Sequence, residues 1–338
     1  VKVAKFYKPG EMLHIEDAEK PITSVGYAVV RMRAAGVCGT ELHFLRGMVD
    51  IKKPLILGHE MAGDIESVFD GADYKPGDRV VIYTMMNCGY CHFCCSAMES
   101  LCENRTEQMG FSIDGGFAEY VKVPLRNLIP VPQNVSYQDA SVLACGGMTA
   151  VHAVRLAGIG FGQKVVINGI GGVGIMAIQV CRVAGASIIA IADDEERARL
   201  ARMAGADNVI CTANFSKVGK IVKEHTNGQG TEFFIDLVGN NNSVNAGLDS
   251  LAKRGKLIII GYTEEDLHIS PSKLVHGELQ ILSSLAASKK DLSDAIDMAG
   301  RQLIKPIIDQ EFSLAEINEA LRRLENREVY GRNVIVFP

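Results

Sequence analysis

Two hydrophobic rhythms divide the chain. From residue 1 to about 145, short alternating runs such as YAVVRMRAAGV, DRVVIY and FAEYVKV are separated by turns bearing glycine and proline. Alternation with a period of two puts successive side chains on opposite faces of a pleated strand, so this region reads as β-rich with irregular loops. From about 163 the rhythm changes. Short apolar runs (KVVING, SIIAIA, NVIC, FFIDLVG, KLIIIG, LQILSS) alternate with helical segments (VGIMAIQVCRVAG, EERARLARMAG, FSKVGKIVKEHT, NSVNAGLDSLAKRG), and a longer connection, YTEEDLHISPSKLVHGE, precedes the last run. Strands this short and apolar between amphipathic helices predict βαβ units around a parallel sheet covered on both faces. Six strands suffice for the two mononucleotide-binding halves of a Rossmann-type, doubly wound α/β sheet. After residue 288, KKDLSDAIDMAGRQ, LAEINEALRRLENRE and RNVIVFP add helix, helix and strand.

Composition changes this picture little. In 338 residues, 47% are apolar and 22% charged, the balance of a globular protein with room for two cores. A net charge of -5 without a basic run argues against nucleic acid as a partner. No stretch reads as a membrane span, and the opening VKVAKFYKPG lacks the apolar core of an export signal. Nine cysteines, an odd number, suit a reducing compartment where thiols bind metal or stay free, and the expected location is cytoplasmic.

The first piece of candidate chemistry is VVINGIGGVGIMA, where a strand runs into Gly169, Gly171 and Gly174 and a helix follows. Glycines here allow a tight turn whose amides approach a pyrophosphate at a helix N-terminus. The plain alternative is an ordinary strand-to-helix turn. Asp193 follows the second apolar run about 20 residues past Gly174, where a carboxylate binds both ribose hydroxyls and repels a 2′-phosphate. That favours NAD over NADP. Asp193 and Asp194 also suit the cap of the next helix, and one carboxylate can serve each purpose. The expected cofactor-binding set is Gly169, Gly171, Gly172, Val173, Gly174, Asp193, Asp194, Val238 and Gly261.

The second is CGYCHFCCSAMESLC, residues 88–102, with five of the nine cysteines. Cys88, Cys91, Cys94 and Cys102 have the pitch to wrap one ion in four thiolates. Such a shell suits zinc and leaves no open position, so the metal stiffens a loop and does no chemistry. A redox role for the C-x-x-C pairs fits less well, Cys95 is left over, and His92 reads as solvent-exposed. A catalytic zinc needs three protein ligands and a vacancy. Cys38 and His59, each in a glycine-bearing turn beside an apolar run, are candidates, and Cys145, at the seam between the two rhythms, is a candidate third ligand. Spacing alone does not connect them, and a buried, unliganded thiol is the commoner state of any one cysteine.

Taken together, GVCGTELH, GHEMAG, the four-cysteine loop, KPGDRVV, GGFAEY and GIGGVG follow the order seen in zinc-containing medium-chain alcohol dehydrogenases, and the chain resembles that family over essentially its whole length. The resemblance implies a GroES-like catalytic domain over 1–147 with a structural-zinc lobe at about 85–104, a Rossmann domain over 148–287, and a return of 288–338 to the catalytic domain. It also implies an active site in the cleft between them, with the nicotinamide facing the zinc.

The family pattern makes Cys38, His59 and Cys145 the ligands of a catalytic zinc, and Glu60 the nearby carboxylate that approaches the metal when the fourth ligand exchanges. Thr40 matches the hydroxyl that takes the alcohol proton, and His43 the base that passes it towards solvent. Glu41 stands where many members have an aspartate bonded to the zinc-binding histidine. The implied reaction forms an alkoxide on the catalytic zinc and transfers hydride to NAD, with two zinc ions per chain. By register, Met48, Tyr83, Thr84 and Met85 line the substrate pocket, although packing within loops is an equal role for them. Three departures stand out. Phe69 replaces a glycine that usually follows the G-H-E strand, with one residue fewer before KPGD. Ala192 occupies the usual ribose-aspartate position. Cys145 stands where polyol and threonine dehydrogenases typically use glutamate, which favours simple alcohols. A polyol, an amino alcohol or an acyl-thioester-linked cyclic alcohol is the rival substrate. A non-catalytic dinucleotide-binding protein with only a structural zinc is the rival class. The family also implies a homo-oligomer, tetramer or dimer, with ELQILSS as an edge strand able to pair across a two-fold axis.

Overall fold

The strand Tyr27–Val37 organises the first half of the chain because each of its two ends has its own neighbour. Along its length it pairs antiparallel with Glu60–Val68. Its first residues also pair with Tyr120–Pro124 and its last four with the terminal strand Arg332–Val336. Ile308–Phe312 extends the sheet beyond Arg332–Val336, while Arg79–Ile82 and Leu128–Pro130 extend it beyond Glu60–Val68. Alternate side chains Ala28, Val30 and Met32 enter a core with Phe6, Leu57, Met61 and Phe117. Phe69 follows the end of Glu60–Val68 that pairs with Ala28, the opposite end of that strand from Glu60.

This computed structural model, which describes residues 1–69 and 71–338, divides into two compact units. The first comprises Val1–Met148, Ser288–Gln302 and Pro306–Pro338, and the second Thr149–Ala287 with Leu303–Lys305. Those last three residues belong with the second unit because the Gln179 side chain brackets Lys305, accepting from its amide at 2.7 Å and donating to its carbonyl at 2.8 Å.

The second unit is a six-stranded, all-parallel sheet. Its order is Asn208–Cys211, Ser187–Ala192, Lys164–Asn168, Thr231–Asp236, Leu251–Ile259, Gln280–Ser283. Numbered along the chain this is 3-2-1-4-5-6, the order of two mononucleotide-binding halves joined at their first and fourth strands. Two elements differ from the sequence reading. The helix expected through Gly255 stops at Ser250, and the fifth strand begins at Leu251. Residues 252–255 then bulge out of the pairing, with Arg254 left-handed at φ +63°. The long connection before the sixth strand contains a helix, Pro271–Gly277, started by proline at its first position.

A continuous helical run over Tyr137–Ala157 is 21 residues long and apolar enough to cross a membrane, contrary to the expectation that no stretch would be. Most of it is buried inside the protein, as in a core helix. At Leu143–Gly147 the run widens into a π turn, which adds a residue to the turn and re-aims Cys145 within it. Two consecutive glycines, poor helix formers, soften the helix at that point.

Candidate active site

Cys38, His59, Glu60 and Cys145 each offer a ligand atom, and these atoms all lie within 4.8 Å of one another. The sheet explains why. Gly36 pairs directly with Glu60, so the residue after one strand (Cys38) and the residue before its antiparallel neighbour (His59) come to the same edge. The π turn delivers Cys145, whose Sγ lies 4.0 Å from that of Cys38. Gly36 is required for space: a Cβ there would stand 1.8 Å from Glu60 Oε2.

Glu41 orders the cluster from one side. It lies in the first turn of the helix Gly39–Leu45, which Cys38 caps. Its Oε2 accepts the Cys38 amide at 2.9 Å while its Oε1 lies 2.7 Å from His59 Nδ1. The bond to Nδ1 leaves Nε2 for a metal, and a carboxylate in this position also raises the ring's basicity. Arg332, buried on the terminal strand, orders the other side, with its Nη2 3.0 Å from Glu60 Oε1. Thr40 Oγ1 lies 3.6 Å from Cys38 Sγ, and His43 is half-buried on the same helix.

The charges agree with this geometry. The bond from Cys145 holds the Cys38 thiol well below its ordinary pKa, against burial and with help from Arg332. Cys145 is correspondingly pushed well up by its bond to Cys38 and by burial. Burial opposes a charge on His59, but Glu41 and Cys38 together raise it well above the usual imidazole range. Burial pushes Glu60 up to about 8 against the pull of Arg332. Glu60 Oε2 has no hydrogen-bond donor among the described residues. Two thiols, an imidazole and an orphaned buried carboxylate oxygen form a donor set that fits zinc.

The four-cysteine loop forms a second cluster. Cys88, Cys91, Cys94 and Cys102 also lie within 4.8 Å of one another, with Cys88 Sγ 3.8 Å from Cys94 and 3.6 Å from Cys102. Burial works against ionising Cys88, but the amides of Tyr90 and Cys91 bring it down to about 6. Burial pushes Cys94 up to about 12. Four sulfurs facing one centre, with backbone amides turned towards them, fit a closed zinc shell. Cys95 and His92 are exposed.

In the second unit Gly169 is left-handed at φ +100°, and a Cβ on Gly174 would stand 2.1 Å from Gly169 O, so both glycines are sterically required. Gly171 caps the helix Gly172–Val183 without a side-chain acceptor, and a Cβ placed on it would meet nothing within 4 Å. The first-turn amides therefore face an open cradle suited to a pyrophosphate. The two aspartates after Ser187–Ala192 both approach Arg197, with Asp194 Oδ2 3.2 Å from its Nε. Asp194 caps the helix Glu195–Ala204, accepting the Arg197 amide at 2.7 Å. Asp193 Oδ1 lies 3.4 Å from Nε of Arg197, whose Nη1 donates to Ile170 O in the glycine-rich turn at 3.0 Å. Val238 and Gly261 are half-buried in the loops after the fourth and fifth strands.

The residues expected to line a substrate pocket differ in burial. Met48 is half-buried, whereas Tyr83, Thr84 and Met85 are buried. Tyr83 donates its hydroxyl to Met85 Sδ at 3.5 Å, and Asn127 Nδ2 donates to the carbonyls of both residues. Sequence reasoning missed Arg332 and Arg197. Arg197 had a local signal, four residues beyond Asp193 on a helix. Arg332 had none, because its partner is remote in the chain.

The chain is similar to known proteins along its length. Residues 172–301 match the zinc-binding dehydrogenase family, and residues 24–133 the alcohol dehydrogenase GroES-like domain. An alcohol dehydrogenase of Geobacillus stearothermophilus is 33% identical over 337 residues, covering 98% of each chain. An NAD-dependent alcohol dehydrogenase of Sulfurisphaera tokodaii is 32% identical over 348 residues, covering 99% of this chain and all of its own. The crystal structure of the alcohol dehydrogenase from Aeropyrum pernix superposes with a TM-score of 0.92 at 34% identity over the full length of both chains. The chain belongs to the zinc-containing medium-chain alcohol dehydrogenase family.

Proposed function

We propose that this protein interconverts an alcohol and its aldehyde or ketone with NAD(H), using one catalytic and one structural zinc. The observation that carries the reading is the meeting of Cys38, His59 and Cys145 at one point, with Glu41 orienting the imidazole. A purely structural metal protein has no use for that second donor set.

When bound, zinc would supply a Lewis acid for the substrate oxygen and NAD(H) a donor or acceptor of hydride. Cys38 and Cys145 would hold the ion as thiolates and His59 would hold it as a neutral imidazole. Thr40 Oγ1 takes the proton of the substrate hydroxyl, and His43, one helical turn further on, passes it to solvent. The amides at Gly171–Gly174 bind the pyrophosphate, and Asp193 binds the adenosine ribose, which favours NAD over NADP. The exposed edge strand Gln280–Ser283 supports assembly into a homo-oligomer, and nine cysteines outside any disulfide support a cytoplasmic setting.

Metal analysis together with a steady-state screen of alcohols and ketones, using both nicotinamide cofactors before and after chelation, tests the reading. Two zinc ions per chain and turnover lost on chelation are expected. In Cys38→Ala we expect turnover to vanish while NADH still binds. Substantial activity in that variant after metal depletion would remove the cluster from the chemistry.

A further inference from the structure

The two middle strands of the parallel sheet end on a pair of side chains to which the reaction above gives no part. Asn168 closes Lys164–Asn168, Asp236 closes Thr231–Asp236, and the two stand opposite each other in register. These are the first and fourth strands in chain order, between which the direction of winding reverses. A dinucleotide sits in the crevice at that point. Asp236 is completely buried, yet its carboxylate receives four donors. Oδ1 accepts from Asn168 Nδ2 at 2.9 Å and from the Val238 amide at 3.1 Å. Oδ2 accepts from Ser243 Oγ at 2.6 Å and from the Gly239 amide at 3.3 Å. The Asp236 main-chain carbonyl accepts from the amides of Ile260 and Gly261 at 2.9 and 3.1 Å. One residue thus joins the strand that feeds the glycine-rich turn to the loops after the fourth and fifth strands and to the first turn of the helix Asn241–Ser250.

Those loops touch backbone to backbone. A Cβ on Gly239 would lie 2.0 Å from Gly261 O, and one on Gly261 would lie 2.3 Å from Leu237 O. A Cβ on Gly174 would meet Leu237 Cδ1 at 3.2 Å. With this little clearance, a shift in any one loop is passed to the others. Burial works against the charge on Asp236 and raises its pKa. The four donors nevertheless call for an acceptor at every position, because a proton on either oxygen would face a donor. A carboxylate beneath a turn built for a pyrophosphate is also unfavourable for the ligand on charge alone, so its presence points to geometry.

We propose that Asp236 is a positioning residue for the dinucleotide, acting through Asn168 and the Val238–Gly239 turn to set the spacing between the glycine-rich turn and the loops on the nicotinamide side. The inference rests on the dinucleotide reading above. Charge and geometry predict opposite signs. Removing a negative charge from an anion site tightens binding, whereas releasing the loops weakens it.

The test uses the zinc-loaded protein. NADH binding is read from the fluorescence of the reduced nicotinamide, helped by a chain without tryptophan, and AMP binding is read by calorimetry. In Asp236→Asn, which keeps the shape and turns one acceptor into a donor, the Kd for NADH rises about tenfold or more, the loss expected for one buried acceptor. The Kd for AMP, which lacks the pyrophosphate and nicotinamide, stays unchanged. An Asn variant that binds NADH as tightly as the parent or tighter, or that loses NADH and AMP in equal proportion, overturns the proposal. If that variant does not fold, Ser243→Ala and Asn168→Ala each delete one donor, and each weakens NADH binding several-fold with AMP unaffected. Parental affinity in both overturns it equally. A parent that binds neither ligand defeats the dinucleotide reading itself, a result distinct from variants that match a binding parent.

Discussion

Glu41 carries two tasks that a shorter or neutral side chain would divide. Both carboxylate oxygens accept, one from the Cys38 amide and one from the ring of His59, a candidate zinc ligand. Glu41→Gln replaces one acceptor with an NH2 that must face one of those two donors. We expect zinc affinity and kcat/KM to fall by roughly 10- to 100-fold, as when a group supporting a metal ligand is lost. Competition with a chelating dye and steady-state kinetics measure the two quantities, and wild-type values for both would dismiss the role. Much of this site was legible at the level of single residues. The C-G-T-E spacing is that of a capping box with cysteine in the cap position, so Glu41 folding back onto Cys38 could be read locally. Arg332 could not be read that way, because a counter-charge brought by a remote strand leaves no trace near the residue it serves.

Among the elements, the loop over residues 88–102 has little apolar content of its own to bury, and its helices are single turns, His92–Cys95 and the 3-10 turn Glu99–Leu101. Its order depends on the four sulfurs sharing an ion. Cys102→Ser should lose one of two zinc ions, keep the other, and lower the Tm by about 5 °C or more. Metal analysis with a thermal melt decides this, and loss of both ions together would contradict two independent centres. Elements were easiest to read where one period held over a long run, as in the six parallel strands. The misreadings have local causes. The fifth strand begins inside a segment that looks helical because Arg254 bulges out in a left-handed conformation. The π turn was invisible because an inserted residue leaves the surrounding hydrophobic spacing helical. Asp193 and Asp194 gave two roles for two residues, and only the capping geometry of Asp194 tells them apart.

On the scale of the whole molecule, the sixth strand Gln280–Ser283 ends the parallel sheet with an unpaired edge. Val275 (74% exposed) and Leu285 (54% exposed) flank it, and Ile281 on the strand is also exposed. An apolar, uncovered edge is a template for pairing with a second copy. Ile281→Lys should shift the protein to a smaller species by light scattering with its zinc content intact, and an unchanged mass would place the assembly surface elsewhere. The parallel sheet of two mononucleotide-binding halves followed from the alternation of strand and helix, and right-handed crossovers leave few ways to wind such a chain. The ownership of residues 288–338 did not follow from periodicity, since a helix-helix-strand ending can join either unit.

The terminal strand has one more consequence, for the order in which the protein comes into being. Synthesis runs from the N-terminal side towards the C-terminal side, so every candidate ligand of the catalytic ion is made well before Arg332. Until Arg332–Val336 adds to Tyr27–Val37, Glu60 lacks the cation that its interior position requires. A product broken off short of that strand would own all the sulfur and nitrogen of the centre and still be unable to settle its charge. Pairing of Arg332–Val336 with Tyr27–Val37 thus governs when the buried Glu60 meets its counter-charge.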